Sequence, residues 1–271
     1  MPELPEVETI RQEIAPWVVE RTIDDLVFYW PPVAALPPAQ TFVENARGRR
    51  IREVGRRGKF LYFILEGPKF LFIHFRMTGQ LHREPLPLSP DPLTRAVIVL
   101  NDAHALRFRD QRKFGRFYLV DDPDIVVGEL GPEPLAPDWT ADDLQDALRK
   151  RRAPVKAVLL DQRVVAGLGN IYADEALFLA GIHPCRPAQS LDPRAIERLH
   201  AAIRQVLAEA IRQKGTTMQS YVRPGGQMGG YQQQRRVYQR VGQPCPRCHT
   251  PVQRCRVHGR SSHFCPVCQP L

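Results

Sequence analysis

The chain has 271 residues, a hydrophobic content of 43% and a formal net charge of +9, and its length predicts more than one folded domain. No apolar run approaches the roughly 18 residues of a membrane span, and the N-terminal residues lack the layout of a secretory signal, so we expect no membrane association and a cytoplasmic protein. Of its 38 basic residues 32 are arginine, the cation suited to bidentate phosphate contacts.

The N-terminal stretch MPELPEVET admits two interpretations. Val7, Ile10 and Ile14 share one face of a predicted helix, which Pro16 is expected to end. The carboxylates near its start then simply suit the positive end of the helix dipole. Alternatively, removal of the initiator methionine leaves Pro2 as a secondary amine beside the carboxyl group of Glu3, and these two groups together suit a role in a chemical reaction.

Residues 21–120 look mostly extended. Short apolar and aromatic runs such as TFVENARGRRIREVG, KFLYFILEG and KFLFIHFRMTGQL are separated by turns rich in Gly, Pro and Asn-Asp. Strands this closely spaced predict a β-sandwich or a barrel. Residues 121–139 carry four prolines with little periodicity, which is typical of a linker.

The pattern after residue 139 is helical. A capping-box pattern that opens at Thr140 predicts a helix to about Arg152. The run IYADEALFLAG predicts a second helix that ends at Gly181. A long amphipathic helix is expected to start at Pro193 and to end at Gly215.

The C-terminal part of the chain carries charge of one sign. No acidic residue follows Glu209, whereas ten basic residues do: Arg212, Lys214, Arg223, Arg235, Arg236, Arg240, Arg247, Arg254, Arg256 and Arg260. A basic segment without interleaved acids indicates a polyanionic partner, most simply nucleic acid, over the alternative of a solvated basic face. Within it, residues 215–242 are rich in Gly and Gln and are predicted to form a mobile loop.

Four cysteines have the spacing of a zinc ribbon. They form two CxxC pairs separated by sixteen residues: Cys245, Cys248, Cys265 and Cys268. Each CxxC turn presents two sulfurs to one metal, and zinc prefers four tetrahedral thiolates. We therefore predict one structural Zn2+. The two remaining cysteines, Cys185 and Cys255, are interpreted as ordinary buried or half-buried thiols.

Two turns in the C-terminal half are candidates for phosphate binding. His258 and Gly259 are expected to turn a hairpin between the cysteine pairs, with Arg260 near its tip. The motif GLGN places Asn170 where a turn enters a helix, so backbone N–H groups there suit a phosphate, although a tight packing turn is an equal alternative. Lys156 and Arg260 favour the phosphate interpretation.

The motifs MPELPEVET, RRGKFL, IHFRMTG, DQRKFG, PVKAVLLDQ, GLGNIYADEALF, VYQRVG and RSSHFCPVCQ follow one another along the chain. In this order they resemble the formamidopyrimidine-DNA glycosylases, in the oxidised-purine branch rather than the endonuclease VIII branch. The resemblance implies a multi-domain α+β fold, with an N-terminal helix, an antiparallel β-sandwich, and a C-terminal helical domain with a helix-two-turn-helix and a zinc ribbon. The implied parts are a catalytic domain (1–125), a linker (126–139), a helical DNA-binding domain (140–240) with a lesion-capping loop (215–230), and the ribbon (241–271).

The resemblance also implies catalytic roles. Pro2 matches the nucleophile that attacks C1′ of the damaged nucleoside, and Glu3 matches the general acid that opens the sugar. Glu6 is expected to orient groups or relay protons, although a plain helix-start carboxylate would look identical. Lys59 matches a lysine that binds a phosphate beside the lesion and assists elimination; its alternative is a surface lysine.

Contacts with DNA are implied at three sets of positions. The residues that fill the gap left by a flipped nucleotide are Met77, Arg112 and Phe114. The phosphate contacts are His74, Lys156, Asn170 and Arg260. The lesion loop, residues 215–230, contributes Thr216, Thr217 and Tyr221. Core positions are the alternative for Met77 and Phe114, but both are expected at exposed strand ends or turns.

The chain departs from the family pattern near the lesion loop and the ribbon. Gln239 and His249 stand where Gly is usual, Arg236 replaces an apolar residue, Ser262 replaces Thr, and Pro224 should stiffen the loop. The catalytic positions are unaffected, so these changes bear on lesion preference.

The sequence thus predicts a bifunctional DNA glycosylase and AP lyase, which acts as a monomer on damaged double-stranded DNA. It would remove 8-oxoguanine and formamidopyrimidines through a Schiff base at Pro2 and then cut the strand by β,δ-elimination. Two alternatives are a preference for oxidised pyrimidines and a zinc-ribbon nucleic-acid-binding module without chemistry. The second does not require Pro2, Glu3 and Lys59 together.

Overall fold

The computed structural model describes residues 1–271 and divides into two compact units. The first unit comprises Met1–Glu129 and Gln213–Gln232, and the second comprises Leu130–Arg212 and Gln233–Leu271. No helix combines the length and the apolar character that crossing a bilayer requires.

The first unit is a β-sandwich flanked by helices. Its elements are α1 (Leu4–Val18), β1 (Ile23–Phe28), β2 (Ala34–Leu36), α2 (Ala39–Ala46), β3 (Ile51–Arg57), β4 (Phe60–Leu65), β5 (Lys69–His74), β6 (Gly79–Pro85), β7 (Thr94–Leu100), β8 (His104–Asp110), β9 (Arg116–Val120) and α3 (Asp124–Val127). The sheets have the orders β1-β7-β8-β6 and β2-β9-β5-β4-β3, and only the short β2 pairs in parallel. Apolar side chains from both sheets and from α1 share one core, in which the rings of Phe108 and Phe117 meet edge to face.

Two predictions for this unit were wrong in detail. Pro16 does not end α1, which continues to Val18. A proline near the end of a helix removes only one N–H donor, and burial of Val18 in the core holds the last turn in place. The run TFVENA was predicted as extended but forms α2, because Phe42 and Ala46 lie four residues apart and bury the same helical face.

The second unit is helical and ends in a hairpin. Its elements are α4 (Ala141–Leu148), α5 (Val155–Leu159), α6 (Asn170–Ala180), α7 (Pro193–Arg212), β10 (Gln253–Val257) and β11 (Arg260–Phe264). The capping box at Thr140 is confirmed, with the Asp143 N–H donating to Thr140 Oγ1 at 3.2 Å. However, α4 ends at Leu148 rather than near Arg152, and α7 ends at Arg212 rather than at Gly215.

The predicted ends of α6 and of the hairpin are confirmed. Gly181 caps α6 in the left-handed conformation, with φ of 72°. His258 and Gly259 both have positive φ between β10 and β11, as a two-residue hairpin turn requires. The predicted loop 215–242 has little regular structure, apart from a single 3-10 turn at Tyr231–Gln233.

Candidate active site and nucleic-acid interface

The first turn of α1 buries two carboxylates beside Pro2. Glu3 caps the helix and donates its N–H to Glu6 Oε2 at 2.8 Å, while the Glu3 side chain accepts from the Glu6 N–H. The side chains of Glu3 and Glu6 are 3% and 1% exposed, and Pro2 is buried with them. Carboxylates that only served the helix dipole would lie in solvent, so this burial distinguishes the two sequence interpretations and favours the chemical one.

The lesion loop, residues 215–230, packs onto this cluster within the first unit. The Thr216 N–H donates to Glu6 Oε1 at 2.7 Å, so Glu6 accepts one hydrogen bond from α1 and one from the loop. Tyr221 is buried and donates its hydroxyl to the Lys214 carbonyl at 3.1 Å. Burial, together with the nearby Glu6 carboxylate, raises the pKa of Tyr221. Thr217 accepts a hydrogen bond from the Gly229 N–H at 2.8 Å, which holds the two ends of the loop together.

The lesion loop also contacts the turn that carries Met77. Ser220 Oγ donates to the Met77 carbonyl at 3.1 Å, and Gln80 Nε2 donates to the Ser220 carbonyl at 2.5 Å. On the opposite side, Arg223 forms an ion pair with Glu13 of α1 at 2.6 Å. The loop therefore connects the carboxylate cluster to one of the predicted gap-filling residues.

Lys59 and His74 lie close together at one end of the β3-β4-β5 ladder. Lys59 follows Gly58 in the β3–β4 turn and is 7% exposed, so it is not a surface lysine. Its neighbour Phe60 pairs with His74 in the sheet register. Burial, with the charges of Arg76 and Lys59, lowers the pKa of His74 to about 3. The ring is therefore neutral, and because Nδ1 accepts the Arg76 N–H at 3.0 Å, its proton lies on Nε2.

The three predicted gap-filling residues lie on two exposed turns. Met77 and Phe114 are 40% and 46% exposed, and the Arg112 guanidinium stacks over the Phe114 ring at 4.6 Å. The fully buried Asp110 joins these turns. Its carboxylate accepts the Thr78 hydroxyl from one turn and the Arg112 N–H, at 3.2 Å, from the other.

In the second unit, Asn170 starts α6 directly after the GLGN turn. Gln162 holds this turn: its Oε1 accepts the Gly167 N–H at 3.0 Å, and its Nε2 donates to the Leu168 carbonyl at 2.9 Å. Asn170 Oδ1 is buried without a hydrogen-bond partner. A helix N-terminus with an unpartnered amide oxygen is suited to a bound ligand or water.

Lys156 does not present its charge to a ligand. Its side chain is fully buried, and Nζ forms an ion pair with Asp174 Oδ1 at 2.6 Å and donates to the Ser261 carbonyl at 2.8 Å. Asp174 Oδ2 accepts the His263 N–H at 2.9 Å. The prediction that Lys156 contacts a phosphate directly is therefore inconsistent with its burial. Arg260, beside Ser261 at the start of β11, is exposed.

The four ribbon cysteines converge. All of their sulfurs lie within 4.8 Å of one another, with Cys245 to Cys268 at 3.8 Å and Cys248 to Cys265 at 3.4 Å. Tetrahedral coordination with Zn–S bonds of about 2.3 Å sets sulfurs roughly 3.8 Å apart. The arrangement thus fits Zn2+.

Comparison with known proteins identifies the family. Residues 1–117 match the formamidopyrimidine-DNA glycosylase N-terminal domain, residues 130–222 match the formamidopyrimidine-DNA glycosylase H2TH domain, and residues 242–271 match the zinc finger found in FPG and IleRS. The chain is also 47% identical to the formamidopyrimidine-DNA glycosylase of Chloroflexus aggregans, over 100% of this chain and 99% of that protein. The chain belongs to the formamidopyrimidine-DNA glycosylase family.

Solved structures of family members share the fold. The MutM (FPG) protein from Thermus thermophilus is 46% identical, with a TM-score of 0.90 over 99% of this chain and 98% of that chain. A mutant of Lactococcus lactis FPG in complex with Fapy-dG-containing DNA is 34% identical, with a TM-score of 0.94 and full coverage of both chains. These matches confirm the predicted α+β fold, and the FPG-type finger with its clustered sulfurs holds one structural zinc.

One buried residue that organises the site was not predicted from the sequence, although it lies within the motif GLGNIYADEALF. Glu175 is fully buried and accepts the N–H groups of Arg236, Val237 and Tyr238 at 2.8 to 3.0 Å. Burial raises the pKa of Glu175. The available signal was the pair Asp174-Glu175 inside an otherwise apolar helix, because buried acids require partners.

Proposed function

We propose that this family member is a bifunctional DNA glycosylase and AP lyase of base excision repair. It removes 8-oxoguanine and formamidopyrimidines and then cuts the strand by β,δ-elimination. The observation that carries the proposal is the buried cluster at the start of α1, where Glu3 and Glu6 adjoin Pro2 and the lesion loop donates to Glu6.

Pro2 is the proposed nucleophile. Removal of Met1 makes the secondary amine of Pro2 the N-terminus. Unperturbed α-amino groups have pKa values of about 7.7 to 8.0, so roughly a tenth of such a group is unprotonated at pH 7. Attack of Pro2 on C1′ displaces the base and yields a positively charged iminium. That charge withdraws electrons from C2′ and eases loss of the 3′ phosphate.

Glu3 is the proposed general acid, which protonates the deoxyribose ring oxygen so that the sugar opens. Glu6 has a positioning role, because its two oxygens already accept N–H groups of Glu3 and Thr216. Glu6 thus aligns the backbone of the general acid with the lesion loop. Thr216, Thr217 and Tyr221 are proposed to shape the surface against the flipped base.

Lys59 and His74 are proposed to bind phosphates beside the lesion. The Lys59 ammonium supplies a positive charge that assists elimination, and His74 supplies a neutral Nε2–H donor. A neutral donor keeps the same hydrogen-bonding capacity throughout the physiological pH range. Its adjacency to Lys59 in the sheet register supports a shared role.

Met77, Arg112 and Phe114 are proposed to fill the space that the flipped nucleotide vacates. A methionine side chain wedges into the stack, the guanidinium hydrogen-bonds the orphaned base, and the aromatic ring stacks on the neighbouring step. Their exposure and the stacking of Arg112 on Phe114 support this proposal.

Asn170 and Arg260 are the proposed phosphate contacts of the second unit. Lys156 has a positioning role instead, because its bond to the Ser261 carbonyl holds the residue next to Arg260. We propose the division into a catalytic domain (1–125), a linker (126–139), a helical domain (140–240) and a ribbon (241–271), with residues 213–232 of the helical segment packed within the first unit. We also propose a monomer that acts in the cytoplasm on damaged double-stranded DNA.

The test compares the wild-type enzyme with Pro2→Gly on a duplex that contains 8-oxoguanine opposite cytosine. We expect the variant to lose strand cleavage by about a hundredfold or more while its duplex affinity changes less than about threefold. Equal loss of cleavage and of affinity would contradict a nucleophilic role. Faster cleavage of a thymine-glycol duplex by the wild-type enzyme would show that oxidised pyrimidines, rather than oxidised purines, are the preferred substrates.

A further inference from the structure

A pair of thiols lies in the second unit, separate from the zinc cluster. The sulfurs of Cys185 and Cys255 are 3.5 Å apart, and both residues are half-buried. The cluster of metal-ligating side chains in this chain consists of the four ribbon cysteines and does not include this pair. Two thiols in contact, without a third ligand, are suited to forming a disulfide.

Backbone hydrogen bonds fix the position of each cysteine. Cys185 follows α6, in a segment whose carbonyls at Pro184 and Arg186 accept the N–H groups of Lys156 and Val155 at 3.3 and 2.8 Å. Cys255 lies in the middle of β10, where it pairs with Ser262 of β11.

One residue holds both segments together. Lys156 donates its N–H to the segment of Cys185 and its Nζ to the Ser261 carbonyl on β11, and its charge is neutralised by Asp174. The contact between the two sulfurs is therefore set by α5 and the hairpin, rather than by two exposed side chains meeting by chance.

We propose that Cys185 and Cys255 form a reversible redox pair, which a low-molecular-weight disulfide oxidises to an intramolecular disulfide while the zinc cluster stays intact. The thiolate of one cysteine attacks the small disulfide, forms a mixed disulfide and releases one small thiol. The second cysteine then attacks the Sγ atom of the first cysteine, which breaks the mixed disulfide bond, forms the intramolecular disulfide and releases the second small thiol. Two protein thiols are oxidised, one small disulfide is reduced, and the two protein protons pass to the two released thiols.

The surroundings of Cys255 act on its thiol in two directions. Burial, together with the adjoining Cys185 thiol, raises the pKa of Cys255, whereas the nearby Lys156 charge lowers it. The contact between the two sulfurs at 3.5 Å does not depend on which thiol attacks first. The sulfurs must then approach by about 1.5 Å to reach a bond length of about 2.05 Å.

The test uses the zinc-loaded full chain with oxidised glutathione, followed by alkylation of the remaining thiols and peptide mapping. We expect the loss of two alkylatable thiols, a peptide that links Cys185 to Cys255, an unchanged zinc content, and recovery of both thiols with dithiothreitol. A link between ribbon cysteines with release of zinc would overturn the proposal. A lasting glutathione adduct on the wild-type pair would also overturn it.

Two single variants test whether the two thiols act together. In Cys255→Ser and in Cys185→Ser, the remaining cysteine should retain one bound glutathione, because no second thiol displaces it. Loss of the adduct from either variant without added thiol would overturn the proposal. The wild-type arm needs no variant and does not depend on glycosylase activity, so its result stands separately from the proposed function.

Discussion

The backbone N–H of Thr216 donates to the Glu6 carboxylate at 2.7 Å, although the two residues are 210 positions apart in the chain. Glu6 uses its other oxygen to accept the N–H of Glu3. One carboxylate therefore connects the proposed general acid to the loop proposed to cover the lesion. Because both bonds are buried, loss of either acceptor oxygen would leave a buried N–H without a partner.

Glu6→Gln should lower the rate of 8-oxoguanine excision by about 10- to 100-fold, since the amide replaces one of the two acceptor oxygens by a donor. Cleavage of a preformed abasic site should fall less, because no base has to be covered. The matched control is Glu13→Gln. This variant removes the partly exposed ion pair between Glu13 and Arg223 of the same loop, and it should change either rate by less than about threefold. Single-turnover rates measured on the 8-oxoguanine duplex and on the abasic-site duplex test this prediction. Equal losses on the two substrates would contradict the coupling.

Asp110→Asn should disturb both exposed turns at once. The buried carboxylate accepts from Thr78, from Arg112 and, at 2.7 Å, from the Gly115 N–H, so the amide leaves at least one donor without an acceptor. We expect a loss of about 2 kcal/mol in the free energy of unfolding and weaker binding to lesion duplexes. Asp121→Asn, at an exposed ion pair with Lys69, is the control and should be nearly neutral. Unchanged lesion affinity in Asp110→Asn would show that the turns are positioned independently of each other.

His74 should remain neutral across the working pH range of the enzyme. Its pKa is about 3 in the folded protein against 6.5 in an unfolded chain, so between these values the unfolded state binds one more proton. Stability from this group is therefore complete above about pH 6.5 and is lost as the pH falls towards 3, by up to about 1.4 kcal/mol per pH unit.

Ring-nitrogen NMR shifts measured from about pH 5 to 8 check this prediction, with His74→Gln identifying the resonance. We expect an unprotonated Nδ1 and a protonated Nε2 throughout. A protonation midpoint near pH 6.5 would show that the ring becomes charged. His74 would then be a cationic phosphate donor instead of a neutral one.

Much of the site was readable from the sequence because motif residues and local patterns specify it. The zinc cysteines, the capping box at Thr140 and the hairpin turn at His258-Gly259 depend on short-range spacing, and all three are confirmed. The family and the α+β fold followed from motifs spread along the whole chain, and the comparisons confirm both.

Properties that depend on long-range packing were not readable. Lys156 looked like a basic residue beside a phosphate turn, and only the fold brings Asp174 and the Ser261 carbonyl to its Nζ. No local pattern identified Asp110, because its partners Thr78 and Arg112 lie on two turns, 32 and two residues away. The helix α2 was missed because its burial pattern depends on the sheets beneath it.

The departures from the family pattern have a backbone consequence. Gln239 and His249, at two positions where the family resemblance predicts Gly, have φ of 54° and 64°, a region that side chains with a Cβ adopt at a cost of about 1 kcal/mol. Gln239→Gly should therefore raise the free energy of unfolding by a few tenths to about 1 kcal/mol, net of the greater entropy of glycine in the unfolded chain. Thermal unfolding of the zinc-loaded variant checks this prediction. A melting temperature below that of the wild-type protein would contradict backbone strain at Gln239.

The most direct test of the central claim is borohydride trapping on a duplex with 8-oxoguanine opposite cytosine, with thymine-glycol and undamaged duplexes in parallel. We expect a covalent adduct on the 8-oxoguanine strand, located by peptide mass at Pro2. Tight duplex binding without an adduct on either lesion would contradict the proposed enzyme and leave a zinc-ribbon nucleic-acid-binding protein in its place.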